Sequence, residues 1–161
     1  MRLADRAISA VRFFGGPVTP NTNPKPTILV VDDDVAIRLW IQEVLFEHGY
    51  DSVLVANASQ GLSVFQMDNL AIDLAIVDMM LPGATGLDLA AELDRQRPGL
   101  RILYISGRVD SIAMEAIALK SPEQVLLKPF TEESLIARLR TLIGKPLCSQ
   151  HAKAGGVSNP E

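Results

Sequence analysis

Apolar residues come in five short blocks, and between the blocks they recur at helical spacing. ILVV (28–31), DSVLVA (51–56), DLAIV (73–77), RILYI (101–105) and QVLL (124–127) are nearly continuous apolar runs, rich in β-branched side chains. Such runs predict strands buried on both faces of a sheet. In residues 35–48, Ile37, Ile41, Val44 and Leu45 share one helical face. Leu62, Val64 and Phe65 do so in 59–68, and Leu87, Leu89, Ala90 and Leu93 in 85–96. A weaker helix is expected over 109–119 and a fifth over 131–143, with Thr131 as N-cap ahead of two glutamates and Ser134. Five β–α units in a row predict an α/β fold: a doubly wound, five-stranded parallel sheet with helices on both faces. No repeat of solenoid type is present.

The two ends fall outside this alternation. Residues 1–14 carry Leu3, Ala7, Ile8, Val11 and Phe14 at helical spacing, then stop at Gly15, Gly16 and Pro17. Asn, Thr and Pro dominate residues 19–26, which read as a linker. The segment reads as an amphipathic helix that docks on some surface, or as a frayed leader or an unused upstream start. Its arginines and Asp5 break any secretory apolar region. Residues 145–161 lack periodicity and are expected to be disordered. The expected division is therefore 1–26 extension and linker, 27–144 globular domain, 145–161 tail.

Composition narrows the class. With 161 residues, 48% hydrophobic and 21% charged, the chain fits one globular domain. No apolar run approaches the roughly 20 residues needed to span a bilayer. Cys148 is the lone cysteine, which excludes an internal disulfide and a Cys-based zinc site. A reducing cytoplasm is the simplest compartment. Charge is uneven: residues 25–144 hold ten basic and seventeen acidic side chains, a net of −7. An acidic body argues against a nucleic-acid face and suits a cation or a basic partner.

In open parallel sheets, ligands bind beyond the carboxyl ends of the strands. Asp32, Asp33 and Asp34 follow the first strand, and Asp78 with Met79 to Gly83 follows the third. Ser106 and Gly107 follow the fourth, Lys128 and Pro129 the fifth. If strands one and three are neighbours, Asp32, Asp33 and Asp78 cluster, and a hard divalent cation such as Mg2+ relieves their repulsion. Lys128, the Ser106 hydroxyl and the Gly107 amide complete a cage for an oxyanion. Phosphoryl transfer asks for such a cage, with Asp78 as nucleophile forming an acyl phosphate. No Walker-type glycine loop marks a nucleotide site. Singly, each feature also reads as a helix cap, a turn or a solvated lysine; their joint placement at successive strand ends favours a site.

ILVVDDD (28–34), DMMLPGATG (78–86), ISG (105–107) and KPF (128–130) resemble, in order and spacing, the receiver domain of bacterial two-component response regulators. The resemblance covers about residues 27–143. It implies the flavodoxin-like strand order 2-1-3-4-5, with Asp33, Asp78 and the Met80 carbonyl as direct magnesium ligands and Asp32 acting through water. It also implies Asp78 as phosphoacceptor from a histidine kinase or histidine phosphotransfer protein, Ser106 as switch hydroxyl, Lys128 as phosphoryl ligand, and a cis Lys128–Pro129 peptide. LYISG (103–107) and KSPEQVLLKPFTEESL (120–135) are most similar to receivers of hybrid sensor kinases.

Two departures matter. Val125 stands where the family often has an inward-swinging aromatic. Met80 and Arg108 occupy positions that tune dephosphorylation, and a methionine cannot orient an attacking water, so a long-lived phosphoryl state is expected. With 17 residues after the last helix, no DNA-binding output domain is expected, nor turnover beyond slow self-dephosphorylation. The output surface implied is the fourth helix, fifth strand and fifth helix, through Ile112, Ala113, Ala116, Glu123, Val125, Glu132 and Arg138, for a target protein or a homodimer. Three other roles stay open: a constitutive unphosphorylated binding module, a phosphorelay shuttle or sink, and a hydrolase of the haloacid dehalogenase type. The hydrolase would use the Asp32–Asp34 spacing, but it leaves Asp78 unexplained and lacks a cap insertion. Trp40, Phe46 and Phe65 read as core or partner-face residues, and His48 as a helix C-terminal cation.

Overall fold

The computed structural model describes residues 25–67, 70–107 and 112–144, the backbone alone at 112–114. The expectations for residues 1–24, Arg108 and the 145–161 tail lie outside the described residues, as do the side chains of Ile112 and Ala113. In chain order the elements are β1 (Thr27–Val31), α1 (Val35–Glu47), β2 (Asp51–Val55), α2 (Ala58–Phe65) and β3 (Leu74–Asp78). They continue as β4 (Met80–Leu81), β5 (Ala84–Thr85), α3 (Gly86–Gln96), β6 (Arg101–Ser106), α4 (Ile112–Lys120), β7 (Val125–Leu127) and α5 (Glu132–Ile143). A single 3-10 turn, Pro122–Gln124, precedes β7.

The main sheet is five-stranded and parallel in the order β2-β1-β3-β6-β7. That is the expected order, because β4 and β5 form a separate antiparallel ribbon. The three central strands are buried through their centres: Ile28, Leu29, Val30, Leu74, Ala75 and Leu103 are all inaccessible to solvent. The edge strand β2 is half-buried at Ser52, Val53 and Leu54, because no strand covers its outer side. Alternate residues feed two cores. Ile28, Val30, Leu74, Ile76, Leu103 and Ile105 pack against α1 and α5 on one face. Leu29, Val31, Ala75, Val77 and Ile102 pack against α2 and α3 on the other.

Caps fix where the helices begin. Asp34 accepts from the Ala36 and Ile37 amides, Asn57 from that of Gln60. Thr85 with Asp88, and Thr131 with Ser134, close reciprocal capping boxes. Thr131 is thus the cap expected, and Asn57 marks the start of α2.

Three expectations change. The third strand ends on Asp78 rather than before it, and β6 ends on Ser106, so both side chains sit on the rigid sheet edge instead of in loops. Gln124 belongs to the 3-10 turn, not the last strand, because Pro122 has already tightened the backbone there. The β4–β5 ribbon carries no strand-length apolar signal; it forms because Pro82 and Gly83 (φ +77°) turn the chain back on itself.

Candidate functional site

The register places the acids side by side. Val31 pairs with Val77, so the next residues, Asp32 and Asp78, meet at the carboxyl end of β1 and β3. Asp78 pairs on its other side with Ile105, which brings Ser106 one step beyond it. The Lys128 amide donates to the Ser106 carbonyl at 2.8 Å and so anchors the lysine at the end of β7. All four side chains fall on one edge of the sheet, as the sequence predicts.

Asp32, Asp78 and Ser106 are the buried polar residues among those described. The two carboxylates are held alike. Asp32 Oδ1 accepts from the Asp34 amide, and Asp78 Oδ1 from the Met80 amide, each at 2.8 Å. Their Oδ2 atoms both face Lys128 Nζ, which donates to Asp32 at 2.9 Å and also to Asp78. The Arg38 guanidinium donates to the Asp32 carbonyl at 2.5 Å. Neither Arg38 nor the two i+2 amides stand out in the sequence, since an amide leaves no side-chain signature and Arg38 lies in the helical pattern.

Burial raises the Asp32 carboxyl above its ordinary range, helped by the charge of Asp78 and opposed by Lys128 and the Asp34 amide. Burial pulls the Lys128 ammonium down, but its bonds to Asp78 and Asp32 outweigh this and leave it raised. One ammonium therefore serves two buried carboxylates. Exposed Asp33 adds a third: ligand oxygens of Asp32, Asp33 and Asp78 lie within 4.8 Å of one another. An all-oxygen anionic set of this kind fits a hard divalent cation, and the surplus negative charge is the reason it would bind one.

Asp34 does not join the set; its carboxylate is occupied as the α1 N-cap. That removes the second acid a dehalogenase-type hydrolase would use. Met80 begins the short ribbon, with its side chain 77% exposed beside the pocket. Gly107 stands over open space, where an added Cβ would meet nothing within 4 Å. The Lys128–Pro129 peptide is cis, as expected.

Val125 is buried in a small cluster with Met79, packed by Leu87, Tyr104, Ile117 and Ala118. It is not surface, which corrects its place among the output residues. Its strand neighbour is Tyr104, an aromatic the sequence reading did not single out. On the same flank, Ala116, Leu119 and Leu127 are exposed. Phe65 is core, as one of the two readings had it, whereas Trp40 and Phe46 are exposed. His48 caps the C-terminus of α1, its Nδ1 on the Val44 carbonyl and its Nε2 3.5 Å from Glu132.

The sequence model of the response regulator receiver domain matches residues 28–140. The chain belongs to that family. It is similar to the transcriptional regulatory protein AruR of Pseudomonas aeruginosa, with 35% identity over 132 residues, covering 80% of this chain and 52% of that protein. It is also similar to the DNA-binding response regulator MtrA of Mycobacterium tuberculosis, with 31% identity over 113 residues, covering 70% of this chain and 48% of that one. The receiver therefore spans about half the length of the curated relatives it matches. A CheY-like receiver domain from Methanospirillum hungatei superimposes with a TM-score of 0.64 at 26% identity, covering 73% of this chain and 93% of that one. Among the described residues no helix is long and apolar enough to cross a membrane.

Proposed function

We propose that this receiver accepts a phosphoryl group on Asp78 from the phosphohistidine of a histidine kinase or histidine phosphotransfer protein. The reaction depends on Mg2+, and the signal passes on by protein contact. The observation that carries this reading is the sharing of Lys128 between two buried carboxylates beside a third acid. A structural ion pair needs one acid; a pocket with surplus negative charge is built to take up a cation and then an anion.

In the transfer, one Asp78 carboxylate oxygen forms a bond to phosphorus as the phosphorus–nitrogen bond breaks, and the imidazole leaves with the electron pair. Asp33, Asp78 and the Met80 carbonyl would hold Mg2+, with Asp32 beside them; when bound, the ion supplies positive charge against the phosphoryl oxygens. Lys128 exchanges its carboxylate contacts for a phosphoryl oxygen. The Ser106 hydroxyl and the Gly107 amide offer neutral donors at the end of β6. The protein is an acceptor, not a turnover enzyme. The lone cysteine and the nature of the donor suit the cytoplasm.

Val125 favours a second reading, a constitutive binding module on the same fold, because a buried valine leaves no aromatic at that position to move. Incubation with phosphoramidate and Mg2+, followed by borohydride reduction, separates the two. Reduction of an acyl phosphate converts the acceptor aspartate to homoserine. Peptide masses should locate that change at Asp78; an unmodified peptide would support the module.

A further inference from the structure

Helix α1 has a second apolar face. Val35, Leu39 and Phe46 are 58%, 55% and 71% exposed. With Gln42 they stand at i, i+4, i+7 and i+11, a seam of a/d type turned away from the buried set Ile41, Val44 and Leu45. The two flanks of the seam differ in sign: half-buried Arg38 runs along one, exposed Glu43 along the other. Among the described residues neither has an ion-pair partner. A surface helix needs one apolar stripe toward its own core; this one has another with no described segment on it.

We propose that a second copy of this chain covers the face, with the two α1 helices packed side by side and parallel about a two-fold axis. In that arrangement the seam is its own partner. Val35, Leu39 and Phe46 each meet their own copy and form three apolar layers. Gln42 forms the fourth layer, where the amide of each copy donates to the carbonyl of the other. A lone polar layer in an apolar seam fixes the register, because any slip would set an amide against an apolar side chain. Beside the seam, on the Glu43 flank, Ala36, Trp40 and Phe130 line an apolar groove of about 520 Å³ that extends the same surface.

Charge selects the parallel pairing. Arg38 directly precedes Leu39 and Glu43 directly follows Gln42, the g and e positions that border such a seam. In a parallel pair a g residue faces the e residue five positions on in the other helix. Arg38 therefore meets Glu43 of the second copy, twice by symmetry. An antiparallel pair would turn like flanks toward each other, so Arg38 and Glu43 would not meet, and Gln42 would face Leu39. Arg38 gives one Nη to the Asp32 carbonyl at 2.5 Å. Its Nε and second Nη remain as donors, and the first bond already holds the side chain in place. Four layers make a small interface, below about 1,200 Å² in total, so the dimer forms and dissociates with concentration. The face is separate from α4, β7 and α5, and the inference does not depend on phosphorylation of Asp78.

Sedimentation of the full chain from about 10 µM to about 1 mM should show the mean mass climb from one copy toward two. Leu39→Asp should stay monomeric throughout and keep the parental melting temperature, because that side chain lies outside both cores. Arg38→Glu alone and Glu43→Arg alone should each self-associate at least about tenfold more weakly than the parent. An equimolar mixture of the two should recover the parental association, since each copy then supplies the charges the other lacks. With Cys148→Ser as background, Gln42→Cys should give a disulfide-linked dimer on mild oxidation. Ser59→Cys, exposed on α2 at the opposite face of the sheet, should not. A parent that stays a single copy at every concentration would overturn the proposal, as would a dimer that Leu39→Asp leaves intact. A mixture no stronger than either charge variant alone would overturn the parallel pairing.

Discussion

Asp32 and Asp78 use the same device: an amide two residues on fixes one oxygen, and Lys128 takes the other. The sequence shows the three acids and the lysine, but not that the lysine is shared, because sharing depends on the register of β1 with β3. One consequence is a pH dependence. Burial, with the Asp78 charge beside it, raises Asp32 in the folded state. The folded protein then holds more protons than the unfolded chain from the ordinary value of 3.8 upward, so stability falls as pH rises through that window. Metal-free Asp32→Asn should escape this loss, and its Tm advantage over the parent should widen as pH rises from about 4 to 7. A constant difference would contradict it. Gly86 carries a second prediction. A Cβ there would lie 2.3 Å from the Asp78 carbonyl oxygen and 2.8 Å from Met79 Cα, both backbone. Gly86→Ala should cost about 1–3 kcal/mol in urea unfolding and slow phosphorylation, since the strand end bearing Asp78 must move. Met80 sits exposed at the pocket with no group to orient water. Met80→Asn should shorten the phosphoryl half-life, followed as loss of the added mass; an unchanged decay would remove Met80 from that role.

At the scale of elements, the five strands and five helices were readable because their apolar periods differ and their caps are explicit. Thr131 is such a cap; Asn57, which caps α2, did not stand out in the sequence. Strand ends were misplaced by one residue at Asp78 and Ser106, because a polar side chain finishing a buried strand looks like the start of a loop. The β4–β5 ribbon, two residues a side, is too short for any period to show. Helix α1 is the opposite case. Its inward residues were legible, but its exposed apolar seam was not, since a pattern with apolar residues on two sides has no single face to read. Val125 was assigned to the surface from its place in the family pattern; the β6–β7 pairing with Tyr104 buries it.

For the whole molecule, topology converts scattered acids into one site. Parallel order β2-β1-β3-β6-β7 lines up the ends of β1, β3, β6 and β7, so residues nearly a hundred positions apart, Asp32 and Lys128, come within hydrogen-bond distance. On the proposed reading, a bound cation relieves the surplus negative charge gathered there. Mg2+ at ten times its dissociation constant should add about 1.4 kcal/mol. That raises Tm by roughly 3–6 °C for a domain of this size. Calcium-free buffer with and without Mg2+ in a thermal melt checks this, and Asp33→Asn should reduce the gain.

The most direct measurement is intact mass after incubation with acetyl phosphate, with Mg2+ or with chelator, for the parent and Asp78→Asn. The account predicts a gain of one phosphoryl group only with Mg2+ and only in the parent. A gain that persists in Asp78→Asn, or that ignores the chelator, would contradict it.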